Sequence, residues 1–215
     1  MFNDDYGLTE AVIQGRKTVT RRIIPQKLVD QYKLPCWQVT YKSIREWLLA
    51  NSTYKVGEVI AIAQAYKDIN ERGIVQLKPT SEPDGMIYGD NMCQAIWAEN
   101  HAGWNNKMFV KAELMPHHIK ITNIRVERLQ NISDEDCLRE GIYIDKKGGQ
   151  SIGYPLAVPF YCTFRGAINR DGKQLYWSTL KDAFTALIDK VSGNGTWDSN
   201  PLVWVYEFEL INSKE

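Results

Sequence analysis

Polar and apolar positions alternate most regularly near the C-terminus. There Leu202, Trp204, Tyr206, Phe208 and Leu210 interleave with Val203, Val205, Glu207 and Glu209. A period of two predicts a strand over 202–210. A second predicted strand, 119–129, changes phase between Ile119/Ile121 and Ile124/Val126, which suggests a β-bulge near Thr122–Asn123. Val59 to Tyr66 is apolar or small in both phases, as in a central strand covered on both faces. Thr18, Val19 and Thr20 are β-branched, so 17–24 reads as a fourth strand, ended by Pro25. The helical signals are shorter. Leu8, Ala11 and Val12 predict a helix over 8–14 that Gly15 is placed to stop. Ser43-Ile44-Arg45-Glu46 and Ser133-Asp134-Glu135-Asp136 have capping-box spacing, and Gly141 closes the second of these helices. Thr179-x-x-Asp182 opens the longest helix, with a stripe of Leu180, Phe184, Leu187, Ile188 and Val191. Residues 26–42 read as a loop, and Ile74–Leu77 and Ala95–Glu99 as short strands among turns. Separate strands around a few short helices predict an α+β domain, a mixed β-barrel with short flanking helices.

Composition narrows the function. The 215 residues hold 26 Lys plus Arg against 26 Asp plus Glu, a net charge of zero. General nucleic-acid affinity would show a basic excess, so any such role rests on a local patch within 16–27. Cys36, Cys93, Cys137 and Cys162 form no C-x-x-C pair, and His101, His117 and His118 have no zinc-ligand spacing. No metal and no cofactor are expected. No apolar run is long enough for a membrane span and the first residues are no signal peptide, so the expected location is the cytoplasm. Most aromatic residues of 143–177, Phe164, Tyr176 and Trp177 among them, are expected to fold that segment back onto its own domain.

The densest chemistry lies at Gly15-Arg16-Lys17-Thr18-Val19-Thr20-Arg21-Arg22, with four cations in eight residues. Such crowding at a helix-to-strand junction is unfavourable unless anions or a catalytic task balance it. The plain alternative is an edge strand guarded by solvated cations.

These residues resemble the signature of the ASCH domains of the PUA-like superfamily, G-x-K-x-x-E-x-R. Gly15, Lys17 and Arg22 match it, and Thr20 stands where many members carry Glu. Threonine there is similar to the small bacterial amidohydrolases that remove acetyl groups from N(4)-acetylcytidine. Tyr54–Glu58, Ile124–Ser133, Glu140–Ile142 and Trp197–Val205 resemble further stretches of bacterial and prophage-type ASCH proteins, in family order. The resemblance implies a single PUA-like domain over 1–215, carrying insertions at about 67–115 and 143–177. Gln64 departs from the acid that relatives often carry at the end of the second strand.

The resemblance also implies a catalytic set of Lys17, Thr20 and Glu140, with Gly15, Arg16, Arg21 and Arg22 binding the ligand. Thr20 would attack through its hydroxyl or hold a water. Lys17 is either the base or, if protonated, the oxyanion stabiliser with Glu140 as base. The implied partner is a modified nucleoside or RNA. Two function classes follow: hydrolysis of an acylated exocyclic amine, or non-catalytic RNA or nucleotide binding by the same cations. Independently of the resemblance, Glu140 falls at a helix C-terminus, where the helix dipole disfavours an anion unless a cation such as Lys17 or Arg22 is near.

Overall fold

Four strands pair where alternation or β-branching places them. The structure is a computed structural model and describes residues 2–33, 43–69, 102–145 and 162–212. The strands are β1 (Val19–Ile23), β2 (Val59–Ala61), β3 (His117–Arg128), β4 (Tyr143–Ile144), β5 (Cys162–Thr163) and β6 (Leu202–Asn212). One sheet has the order β1-β6-β3-β2, and β4 and β5 form a separate antiparallel ribbon. β1 and β6 are antiparallel, with Thr20 opposite Tyr206 and Arg21 opposite Val205. β3 runs unbroken across Thr122–Asn123, where Asn123 Oδ1 accepts the Ile124 N–H at 2.9 Å. The architecture is α+β. Among the described residues the sheet is open, and no closed barrel is formed.

The residues divide into two compact units. The larger comprises Asn3–Val59 and Ile119–Leu210. In it the first half of β6, residues 202–206, is apolar in both phases because helices cover both faces. On one face Trp204 donates its indole N–H to Leu48 O at 2.8 Å, which ties the strand to α3 (Ile44–Ala50). On the opposite face lies α6 (Leu180–Ser192), whose buried Phe184 sits 6.0 Å from the Arg21 guanidinium. Phe164 stacks on Trp177 with 5.5 Å between ring centroids, so these aromatics do fold inward. The smaller unit comprises Met1–Phe2, Ile60–His118 and Ile211–Glu215. Its core is Tyr66, Ile69 and Met115, packed by Trp104, Val110 and Leu114.

Two expectations are corrected. The strand expected over 59–66 ends at Ala61, and Tyr66–Ile69 is a helical turn, α4. The ladder stops because Gln64 N–H meets Met115 Sδ at 3.3 Å and Tyr66 N–H goes to Gly103 O at 3.0 Å. Residues 26–33, read as loop, form helix α2 (Gln26–Lys33). Pro25 is its start signal as well as the strand's stop: its carbonyl accepts from the Leu28 and Val29 N–H groups, and its fixed φ suits a helix entrance. Residues 34–42 and the expected strands at 74–77 and 95–99 lie outside the described residues.

Candidate functional site

Two glycine-terminated helices bring the site together. α1 (Leu8–Ile13) ends where Gly15 takes φ 71°, leaving Gly15 N–H on Val12 O and Lys17 N–H on Ala11 O, both at 2.9 Å. The turn drives Lys17 inward, to 2% exposure. α5 (Asp134–Arg139) starts at Ser133, whose hydroxyl accepts the Asp136 N–H at 3.1 Å. It ends at Glu140, and Gly141 follows with φ 108°. Thr18 N–H donates to Arg139 O at 3.0 Å and fastens the entrance of β1 to the end of α5.

Lys17 and Glu140, far apart in sequence, therefore meet in the interior. Lys17 Nζ donates to Val19 O at 2.8 Å, to Glu140 O at 2.9 Å and to Glu140 Oε2. That gives an ammonium's three donors three acceptors. The bond to Val19 O places the amine on the peptide that joins Val19 to Thr20. Burial pushes the Lys17 pKa down from its ordinary value; Glu140 opposes this, and the charges of Arg22 and Arg21 assist it.

Arg21 extends the pair into a lattice. Its Nη1 donates to Glu140 Oε1 at 3.2 Å, while Nη2 donates to Asp136 Oδ2 at 2.6 Å and Glu127 Oε1 at 2.7 Å. Arg125 binds Asp136 and Glu207, and reaches Glu127 at 3.4 Å. Arg139 binds Glu207 at 3.0 Å and Asp136 at 3.4 Å, and donates Nε to Thr18 Oγ1 at 3.1 Å. Lys17, Arg21, Arg125 and Arg139 thus face Glu127, Asp136, Glu140 and Glu207, one cation for each acid. Burial would raise the pKa values of Asp136 and Glu207, but the arginines outweigh it and hold both carboxyls below their usual values. Burial lowers and the carboxylates raise the Arg21 pKa, and the carboxylates prevail.

The expected site residues are distributed unevenly over this framework. Lys17 and Glu140 are joined. Thr20 is half-buried, and strand alternation turns its side chain to the face opposite Arg21, beside Tyr206. No hydrogen bond links its hydroxyl to Lys17 or Glu140 among the described residues. Gly15, Arg16 and Arg22 are exposed, with Arg16 Nε on Gln14 Oε1 at 2.9 Å. Arg21, expected to face a ligand, is buried at 6% exposure with its guanidinium on three carboxylates. The cations that offset the helix dipole at Glu140 are Lys17 and Arg21.

Sequence reasoning passed over Asp136, Glu127, Arg125, Arg139 and Glu207. The signal lay in the alternation: Arg21 is in phase with Val19, and Glu207 with Val203 and Val205, which are buried. Charged residues in the inward phase of adjacent strands require partners. Cys137, fully buried in α5, has its thiol pushed up to about 12 by burial and offers no thiolate nucleophile. Among the described residues, no group of three or more His, Cys, Asp or Glu is placed to hold a metal ion, and no helix is long and apolar enough to cross a membrane. Compared with known proteins, the chain matches no family model, no curated protein and no solved structure.

Proposed function

We propose that the chain is an ASCH-type amidohydrolase of PUA-like fold, removing an acyl group from the exocyclic amine of a modified pyrimidine nucleoside such as N(4)-acetylcytidine. The observation that carries this reading is the buried Lys17–Glu140 pair, held against the peptide that leads into Thr20. Water adds across the amide: its oxygen bonds to the acyl carbon, the bond from that carbon to the exocyclic nitrogen breaks, and the nitrogen takes up one proton and leaves as a neutral NH2 group. The products are the carboxylic acid and the free nucleoside. Thr20 either orients this water or first takes the acyl group onto its own oxygen as an ester that the water then cleaves, and the Lys17–Glu140 pair moves the proton from the attacking oxygen to the leaving nitrogen. A lysine whose pKa is lowered by burial suits that exchange better than an ordinary surface lysine.

A second reading, a non-catalytic RNA- or nucleotide-binding module, is favoured by the exposure of Arg16 and Arg22 at the two ends of the same segment. Incubating the protein with a panel of acylated nucleosides, followed by chromatography of the products, separates the two. Release of free nucleoside is the expected result. No hydrolysis of any member, together with salt-dependent RNA binding lost on Arg16→Ala and Arg22→Ala, would overturn the first reading in favour of the second.

A further inference from the structure

The two oxygens of Glu140 are shared between different cations. Oε2 takes the Lys17 amine and Oε1 takes Arg21 Nη1 at 3.2 Å. Arg21 cannot swing aside. Nη2 is on Asp136 and Glu127, Nε is on Glu127 at 3.2 Å, and the guanidinium lies over the Phe184 ring. A planar fork with this many fixed partners has one available orientation. We propose that Arg21 is the positioning residue of the Lys17–Glu140 pair: anchored by Asp136 and Glu127, it clamps one oxygen of Glu140 so that a single oxygen is presented to Lys17. This rests on the amidohydrolase reading and assigns the proton acceptor within it. With its carboxylate shared with a second cation, Lys17 gives up its proton more readily, so Lys17 is the base and Glu140 its anchor.

The charged and titratable groups around the pair agree with this assignment. Arg21 faces Glu140 from β1, and Cys137 faces it from α5; Glu127 from β3 and Asp136 from α5 hold Arg21. Arg22 and Arg21 both disfavour the charged form of Lys17, adding to the effect of burial.

The test reads Lys17 directly, by NMR titration of its εCH2 group in protein labelled at lysine and assigned with Lys17→Arg. The same samples supply thermal melts and pH profiles of turnover on an acylated cytidine. In Arg21→Gln the Lys17 midpoint should rise by about one pH unit, and the ascending, acid-side limb of the turnover profile, along which Lys17 loses its proton, should move up with it. Arg21→Lys keeps a cation but cannot reach all three carboxylates, so its midpoint should fall between wild type and Arg21→Gln. Should Arg21→Gln fail to fold, Arg21→Gln/Glu127→Gln keeps the charges balanced, and its midpoint should likewise rise. A lower melting temperature with an unmoved Lys17 midpoint would make Arg21 a merely structural cation and overturn the proposal. If wild-type protein hydrolyses no acylated nucleoside, the amidohydrolase reading falls, while the Lys17 midpoint still decides whether Arg21 positions the pair.

Discussion

Thr20→Val tests the chemistry at a single atom. The substitution nearly preserves side-chain volume and β-propensity, and the hydroxyl it removes has no hydrogen bond among the described residues. The melting temperature should therefore stay within about a degree or two of wild type. Turnover of an acylated nucleoside should fall roughly a hundredfold or more with little change in ligand affinity. Turnover unchanged in Thr20→Val would remove Thr20 from the mechanism. The same residue marks how far single positions can be read in advance. The union of Lys17 with Glu140 was legible because an acid at a helix C-terminus needs a cation, and a basic junction needs an anion. The orientation of Arg21 was not. Four neighbouring cations are equivalent as charges, and only strand phase separates the inward Arg21 from the exposed Arg22.

Gly141 shows how an element boundary positions chemistry. Its φ of 108° lets the chain leave α5 directly after Glu140, and a Cβ there would approach Leu8 Cδ2 of α1 to 3.3 Å. Gly57 has a similar φ of 87° with nothing within 4 Å of the added atom. Both alanine variants carry backbone strain of about 1–3 kcal/mol, and only Gly141→Ala also crowds the Leu8 side chain of α1. Urea unfolding should therefore show Gly141→Ala as the less stable of the two, and Gly141→Ala alone should impair the site. Equal losses would mean that the α1 contact gives way without effect. Caps, glycine stops and alternation announced these elements, because each is a local rule. The end of β2 was not announced: residues 62–66 are as apolar as a strand, and the competing partners, Met115 and Gly103, come from distant positions. Helix α2 was hidden by reading Pro25 only as a terminator.

For the whole molecule, a net charge of zero conceals a concentrated balance: cations and acids are gathered where β1, β3 and β6 meet α5. Its effect on stability has a definite sign. Asp136 and Glu207 have folded-state pKa values below the ordinary 3.8 and 4.5, because their arginine partners outweigh the cost of burial. As the pH drops past those ordinary values, the unfolded chain takes up protons before the folded one does. The stabilisation is thus complete above about pH 5 and is lost as the pH falls through the depressed folded values. Urea midpoints should be level from pH 7 to 5 and then decline steeply toward pH 3. Other carboxyl groups contribute to acid unfolding, so the decisive comparison is with Asp136→Asn/Glu207→Gln. That variant should be less stable at pH 7, because Arg125 and Arg139 lose their charged partners, and its decline below pH 5 should be shallower. Because these groups are largely shielded from water, raising the salt to about 1 M should leave most of the wild-type pH dependence in place, whereas exposed ion pairs would be screened. An acid decline of equal steepness in wild type and the double variant would show that Asp136 and Glu207 carry no pH-linked stabilisation.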